Sequence, residues 1–111
     1  MSLESTEAEC AAVATEPRVS LADIVASIVA RYDMTGTQAI GPEVPQHETL
    51  DRLSICICVL RNGWTVIGKS APASAANFDA ELGRKLAYED CIRQLWPLMG
   101  FALRERLAAN T

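Results

Sequence analysis

Histidine is nearly absent from this sequence, and so are the short motifs by which enzymes of this size are recognised. The only histidine, His47, lies in a segment rich in glycine and proline. No nucleophile elbow, phosphate-binding loop, dinucleotide fingerprint or metal motif is present. We therefore expect a protein that is not an enzyme and uses no cofactor. His47 is interpreted as a solvated loop residue, with a catalytic base as the alternative.

Basic residues are also scarce. Ten Lys and Arg oppose 14 Asp and Glu, which gives a net charge of −4. Because affinity for nucleic acid comes from clustered basic side chains, this balance argues against a general nucleic-acid binder. It is compatible with an acidic surface that meets a basic protein partner.

Long apolar runs are missing as well. No stretch reaches the roughly 18 apolar residues that a membrane-spanning helix needs. Residues 1–17 are acidic and polar, unlike a secretion signal, and are predicted to form a disordered tail. We expect a protein of the bacterial host cytoplasm with no membrane partner.

Aromatic residues make up only 5% of the chain, although hydrophobic residues make up 50%. Much of that apolar content is alanine, which buries little area. A chain of 111 residues with such side chains builds only a small core. We expect residues 18–111 to form a single α+β domain whose core is completed in a homo-oligomer, a dimer or a multiple of dimers.

Four cysteines are present: Cys10, Cys56, Cys58 and Cys91. Only one Cys-x-Cys pair occurs, so the spacing of common zinc sites is not met and no metal is expected. Cys56 and Cys58 share one face of a predicted strand. They are interpreted as small buried hydrophobes in a reducing compartment, with a metal site or disulfide as the alternative.

The first predicted element is a helix over residues 21–32. Ser20 and Asp23 have the spacing of a capping box. The apolar residues then recur at helical spacing: Leu21, Ile24, Val25, Ile28, Val29 and Tyr32. Residues 33–50 contain Gly36, Gly41, Pro42 and Pro45 and are predicted to be a loop.

A β-hairpin is predicted next, with strands at residues 52–60 and 64–69. Asn62-Gly63 favours a type I′ turn, because both residues accept positive φ. In the first strand Ile55, Ile57 and Val59 alternate with Ser54, Cys56 and Cys58. Both faces are fairly apolar, so we expect both to be covered.

The last third of the chain is predicted to be helical. Asn77 has the side chain of an N-cap, and a helix is expected from Phe78 to about Leu95. Pro97 is expected to break or kink it, with a second helix running to about Leu107. The core face is expected to hold Phe78, Leu82, Leu86, Ile92, Leu95, Trp96 and Met99.

Residues 52–106 resemble a known family. The order is a hairpin, a small-residue loop leading to Asn77-Phe78-Asp79, and a helix that reaches Leu95-Trp96-Pro97-Leu98. It is similar to a family of small tailed-phage and prophage proteins. Some members of that family are Thoeris anti-defence proteins, which sequester the cyclic ADP-ribose signal made by bacterial TIR immune enzymes.

The resemblance implies a set of ligand-binding residues. Trp64 stands where signal-binding relatives carry an aromatic that stacks on the adenine. Ser74 and Asn77 fall in the loop that supplies a polar contact, and Arg93 falls on the helix that supplies basic ones. The chain departs from the pattern at Glu89 and Asp90, where a basic residue is expected, and two acids beside a diphosphate would repel it.

Each of these residues also has an ordinary structural interpretation. Trp64 can pack across the hairpin, Asn77 can cap the helix, and Ser74 can be a plain loop residue. Arg93 can belong to a surface ladder with Glu89 and Lys85.

Three functions follow from the residues and the resemblance. The first is a phage or prophage protein that sequesters a nucleotide immune signal without turnover, the signal being a cyclic ADP-ribose isomer or a cyclic oligonucleotide. The second is an acidic inhibitor that binds a host defence protein, such as an anti-CRISPR, in which Glu89 and Asp90 mimic phosphates. The third is a phage accessory protein with a structural or regulatory role.

Overall fold

A three-stranded antiparallel sheet packed against one long helix forms the fold, so the predicted α+β class is confirmed. The computed structural model describes residues 3, 4, 6, 7 and 17–111. The strand order is β1-β2-β3. The main elements in chain order are α1 (Leu21–Ser27), β1 (Ile28–Thr35), α2 (Gly36–Ile40), β2 (Ser54–Leu60), β3 (Thr65–Ser70) and α3 (Ala80–Ala109).

The predicted tail at residues 1–17 lies mostly outside the described residues, and so does Cys10. In the part of the chain that the structure describes, no helix combines the length and hydropathy needed to cross a membrane.

The first predicted helix is correct only in its first half. The capping box is confirmed, because the Ser20 hydroxyl accepts the Asp23 N–H at 3.0 Å and the Ser20 N–H is bound by the Asp23 carboxylate at 2.9 Å. The helix ends at Ser27, and residues 28–35 form β1 instead. Ile28, Val29 and Tyr32 suit a strand as well as a helix, and pairing with β2 decides between the two.

The segment predicted as a loop contains two short helices. Thr35 caps α2 through its hydroxyl, which accepts the Gln38 N–H at 3.1 Å. A 3-10 helix follows at Glu48–Arg52. His47 is exposed, as expected, and its Nδ1 accepts the Thr49 N–H at 3.1 Å.

The hairpin is confirmed, but its turn is not type I′. Gly63 has a φ of 87°, and in the described chain no residue other than glycine has positive φ, so Asn62 does not. The Gly63 N–H donates to the Leu60 carbonyl at 2.9 Å, and the Leu60 N–H donates to the Trp64 carbonyl at 2.8 Å. The loop therefore spans three residues and ends in a left-handed glycine, a common alternative to the two-residue turn.

The two faces of the sheet differ in cover. Ser54, Cys56, Cys58 and Leu60 of β2 are buried on the face under α3. Ile55, Ile57 and Val59 point to the opposite side and are only half-buried. That opposite side, called the open face here, consists of Ala30, Tyr32, Met34, Ile55, Ile57, Val59, Thr65, Ile67 and Lys69. Both faces of β2 are expected to be covered, but in the described part of a single chain only the face under α3 is fully buried.

The last helix begins later and runs further than predicted. Asp79, not Asn77, is its N-cap and accepts the Leu82 N–H at 3.1 Å. Asn77 belongs to a 3-10 helix, Ala75–Asn77. The predicted break at Pro97 is wrong, because α3 continues through it as one helix. Pro97 and Arg93 are both exposed, so the Arg93 carbonyl that loses its N–H partner lies on the solvent side.

Two glycines let α3 lie close to the sheet. A Cβ on Gly83 of α3 would clash with the Ser54 hydroxyl, and one on Gly68 of β3 would clash with the Ala87 carbonyl. The core between the layers holds Ile24, Cys56, Cys58, Leu60, Val66, Ala87, Cys91, Ile92 and Leu95. The burial expected for Cys56 and Cys58 is confirmed, Cys91 is also buried, and all three are free thiols.

Candidate functional site

Trp64 lies at the hairpin end of the sheet. Its side chain is 55% exposed and lines a cavity of about 200 Å³. Leu60 and three α3 residues, Leu98, Met99 and Ala102, form much of the wall. The ring is therefore available to stack on a ligand, but its immediate surroundings within one chain are apolar.

Ser74 and Asn77 lie beyond the other end of β3, in the loop that precedes α3. The Asn77 N–H donates to the Ser74 carbonyl at 3.1 Å, and both side chains are exposed. Asn77 lines a cavity, whereas Ser74 lines neither that cavity nor the one at Trp64.

Arg93 lies on the exposed surface of α3. Its guanidinium is 4.0 Å from the Asp90 carboxylate, so the surface pair forms with Asp90 and not with the expected Glu89. Arg93 lines neither of the two cavities.

A single chain does not bring these four residues together. The six residues of β3 separate Trp64 from the loop, and a strand of that length spans about 20 Å. Trp64 and Asn77 consequently line different cavities at opposite ends of the sheet. A pocket that contains all four residues requires more than one copy of the chain.

A more complete set of binding groups surrounds Phe78. We call this the Phe78 cavity; its volume is about 240 Å³. Its lining combines one aromatic ring, one guanidinium, two hydroxyls, one amide and one carboxylate with small apolar residues. The residues are Arg52, Ser54, Ser70, Ala71, Pro72, Ala73, Asn77, Phe78, Asp79, Leu82, Gly83 and Leu86.

The backbone explains why these groups meet. Ser54 begins β2, Ser70 ends β3, and the two residues are register partners across the hairpin. Gly83 allows α3 to approach Ser54 closely. The predicted core residues Leu82 and Leu86 are 49% and 37% exposed, because they face this cavity and not the closed core.

The charged groups around the Phe78 cavity differ in whether they already bind a partner within the described chain. Asp79 accepts a backbone hydrogen bond as the α3 cap. Arg52 has no carboxylate within ion-pair distance among the residues the structure describes. Arg84 lines an adjoining cavity of about 230 Å³ that also includes Ser54 and Phe78. Phe78 therefore lines two adjoining cavities, each with one arginine, and the second also contains Asp33. An aromatic ring with guanidinium groups in the same region suits a ligand with phosphates and a planar base.

Sequence reasoning missed Arg52 and Phe78 as site residues. The sequence predicts Arg52 as the start of a strand and Phe78 as a core residue. The available signal was the hairpin register, since pairing through Asn62-Gly63 puts the start of β2 beside the end of β3 and the loop that follows.

Asp90, which departs from the family pattern, has partners within the chain. Its carboxylate accepts the Lys69 backbone N–H at 3.0 Å, and Gln94 donates to the Ile67 carbonyl at 2.7 Å. These two α3 side chains satisfy the outer edge of β3, which would otherwise be open to pairing with another strand.

Similarity to known proteins is found over the segment that contains the fold described above. No curated protein and no solved structure shows significant similarity to this chain. The model of one family, described as phage protein (N4 Gp49/phage Sf6 gene 66), matches residues 19–107, which include all six main elements except the last residues of α3. The chain therefore belongs to this family of phage proteins.

Proposed function

We propose that this phage protein sequesters a nucleotide immune signal, a cyclic ADP-ribose isomer or a cyclic oligonucleotide, without turnover. The observation that carries the proposal is the Phe78 cavity, which contains an aromatic ring and the Arg52 guanidinium and adjoins a second cavity that contains Arg84. Arginine binds phosphate oxygens in a bidentate manner, and an aromatic face stacks on a base. Ser54, Ser70 and Asn77 offer hydrogen bonds to ribose hydroxyls.

The hydrogen bonding of the Asp79 carboxylate in the Phe78 cavity favours binding over catalysis. Asp79 accepts the Leu82 N–H, so the carboxylate that could act as a base is already hydrogen-bonded. Sequestration needs tight binding and slow release, and preformed groups lower the entropic cost of both.

A second copy of the chain would complete the pocket. A cavity of about 240 Å³ is smaller than the roughly 300–1,000 Å³ of most small-molecule sites. The open face exposes 56% of Tyr32 and 61% of Ile67, an apolar surface of the kind that oligomers bury. We therefore propose a homo-oligomer whose subunits together enclose the ligand.

Trp64 and Arg93 define a second candidate region within the same proposal. Trp64 offers an exposed ring at the hairpin end, and Arg93 offers a guanidinium that lies 4.0 Å from the Asp90 carboxylate. They contribute to the ligand only if a neighbouring copy places them at its pocket.

Calorimetry of the full chain with cyclic ADP-ribose isomers and with cyclic di- and trinucleotides tests the proposal. Arg52→Ala should weaken binding by about 10- to 150-fold, the equivalent of a charge-assisted hydrogen bond worth about 1.5–3 kcal/mol. Phe78→Ala should weaken it as well. Arg104→Ala, an exposed α3 change at a residue that lines neither of the cavities described above, is the matched control.

Three outcomes decide between the alternatives. Loss of binding in Trp64→Ala and Arg93→Ala, with Arg52→Ala unaffected, would move the site to the hairpin end. Failure of every nucleotide to bind the parent protein would contradict the proposal. Capture of a host defence protein in that case would favour the acidic inhibitor, for which Asp90 is a weak phosphate mimic because it is bonded to β3.

A further inference from the structure

Three thiols meet between the sheet and α3, away from the Phe78 cavity. Cys56 and Cys58 project from the buried face of β2, and Cys91 projects from α3. All three residues are fully buried. Their sulfur atoms lie within 4.8 Å of one another, and those of Cys56 and Cys58 are 3.7 Å apart.

These distances match those of sulfur ligands around one metal ion. A metal–sulfur bond of about 2.3 Å places three sulfurs about 4 Å apart when they surround the ion in a plane. To reach that geometry the Cys56 and Cys58 sulfurs, at 3.7 Å, would separate slightly, and any longer separation, up to 4.8 Å, would shorten. Soft thiolate ligands select Cu(I), Zn²⁺ and iron–sulfur clusters.

We propose that Cys56, Cys58 and Cys91 bind one thiophilic metal ion in a three-sulfur site, with Cu(I) as the preferred ion. Within the described residues the cluster contains three ligands and no fourth His, Cys, Asp or Glu. Structural zinc sites are almost always four-coordinate. A closed three-thiol site in a dry core therefore suits Cu(I) better than Zn²⁺.

Three further residues lie around the cluster. A Cβ added at Gly68 would come within 2.8 Å of the Cys91 sulfur, so only glycine allows β3 to pack this closely on the thiol. The Arg31 guanidinium lies 4.0 Å from the ring centre of Tyr88, which packs against the core that contains the thiols. The negative charge of Asp33 opposes a thiolate at Cys56.

Without a metal the cluster holds its protons. Burial raises the pKa of Cys56, and it raises the pKa of Cys91 to about 11. The Cys91 thiol then donates to the Cys56 carbonyl at 3.3 Å. A bound metal replaces these protons, so binding should release protons to the buffer.

The positions of the three cysteines determine how a bound metal would affect the fold. Cys56 and Cys58 provide two ligands from one strand, and Cys91 provides the third from the helix packed on it. The metal would join α3 to the middle strand and stabilise the fold, because it binds the folded chain and not the separated elements.

The test uses the full chain with Cys10→Ser, reduced and without oxygen, so that Cys10 supplies no thiolate. Cu(I) is delivered from a chromogenic chelator that competes for it, and Zn²⁺ is titrated in parallel. We expect one Cu(I) per chain, thiolate-to-copper absorption, proton release and a higher melting temperature. X-ray absorption at the copper edge should count three sulfur ligands.

Variants separate metal binding from packing. Cys56→Ala and Cys91→Ala should each weaken Cu(I) binding by more than about 100-fold, beyond the effect of losing a group that only supports a ligand. Ile92→Val removes a methylene from the same core and keeps every sulfur, so it should bind Cu(I) like the parent. Circular dichroism checks that each variant is folded.

Several results would overturn the inference. They are no Cu(I) uptake by the folded parent, equal affinity in the two cysteine variants, or a copper site with two sulfurs. Tighter binding of Zn²⁺ than of Cu(I) would overturn the choice of ion. The copper-edge measurement on the parent decides the matter even if the alanine variants do not fold.

Discussion

Two glycines of the same helix have opposite surroundings. Gly83 faces the Ser54 side chain, whereas an added Cβ at Gly100 meets nothing within 4 Å. Gly83→Ala should therefore lower the free energy of unfolding by about 1–3 kcal/mol through overpacking. Gly100→Ala should raise it by up to about 1 kcal/mol, because alanine is the better helix former.

Urea unfolding of the two variants beside the parent measures both changes. Destabilisation by Gly100→Ala would mean that Gly100 packs against another copy of the chain. A neutral Gly83→Ala would contradict the close contact between α3 and β2.

The buried thiols make the folded protein sensitive to alkaline pH. The pKa of Cys91 rises from an ordinary value of 9.0 to about 11, chiefly through burial. Between these values the unfolded chain loses its proton while the folded chain keeps it. Stability should consequently be complete below pH 9.0 and fall as the pH rises toward 11.

Melting temperatures of the metal-free protein from pH 7 to 11 follow this loss. Cys91→Ala should flatten the decline relative to the parent, while Ile92→Val should leave its slope unchanged. Tyr88 contributes in the same direction at higher pH, because burial also raises its pKa.

At the scale of elements, α3 carries a proline within an unbroken helix. Pro97 removes one backbone hydrogen bond, and an interior proline costs about 3 kcal/mol relative to alanine. Pro97→Ala should stabilise the chain by about 1–3 kcal/mol in urea unfolding, since Pro97 is exposed and its ring is not part of the core. Destabilisation would show that the proline sets a bend that packing depends on.

The helix and strand predictions succeeded where local chemistry decides and failed where tertiary contacts do. The Ser20 capping box and the positive φ of Gly63 depend on a few adjacent residues, and both are present, although the turn that contains Gly63 is not the predicted type I′. Residues 28–32 satisfy helical spacing as well as strand propensity, and only pairing with β2 makes them a strand. The sequence predicts a break or a kink at Pro97, and no break occurs, because core contacts on both sides of it hold one helix together.

The sequence indicates the candidate site only in part, because some of its residues come together only through strand pairing. Asn77 lines the Phe78 cavity, and its assignment came from the resemblance of the loop. Arg52 lies 25 positions earlier in the chain and reaches that cavity only through the pairing of β2 with β3. No local pattern reports such a juxtaposition.

At the scale of the whole molecule, the open face is the surface that most requires a covering partner. Its aliphatic residues and Tyr32 form the outer side of a sheet that, among the residues the structure describes, has the long helix α3 on the other side. Antiparallel sheets often face water on one side, but that side is then mostly polar. This face is apolar, so we expect a second copy to cover it.

A charged side chain at the centre of the open face should dissociate the oligomer into single chains. Ile67→Lys places an ammonium group opposite Ile57, at a position that is 61% exposed in the single chain and costs little there. Light scattering should give a multiple of 12.0 kDa for the parent and 12.0 kDa for Ile67→Lys. Leu107→Lys, at an exposed site near the end of α3, is the control that should keep the parent mass. If ligand binding requires two copies, Ile67→Lys should also abolish it while the chain stays folded. A parent mass of 12.0 kDa at micromolar concentration would contradict both the oligomer and a pocket shared between subunits.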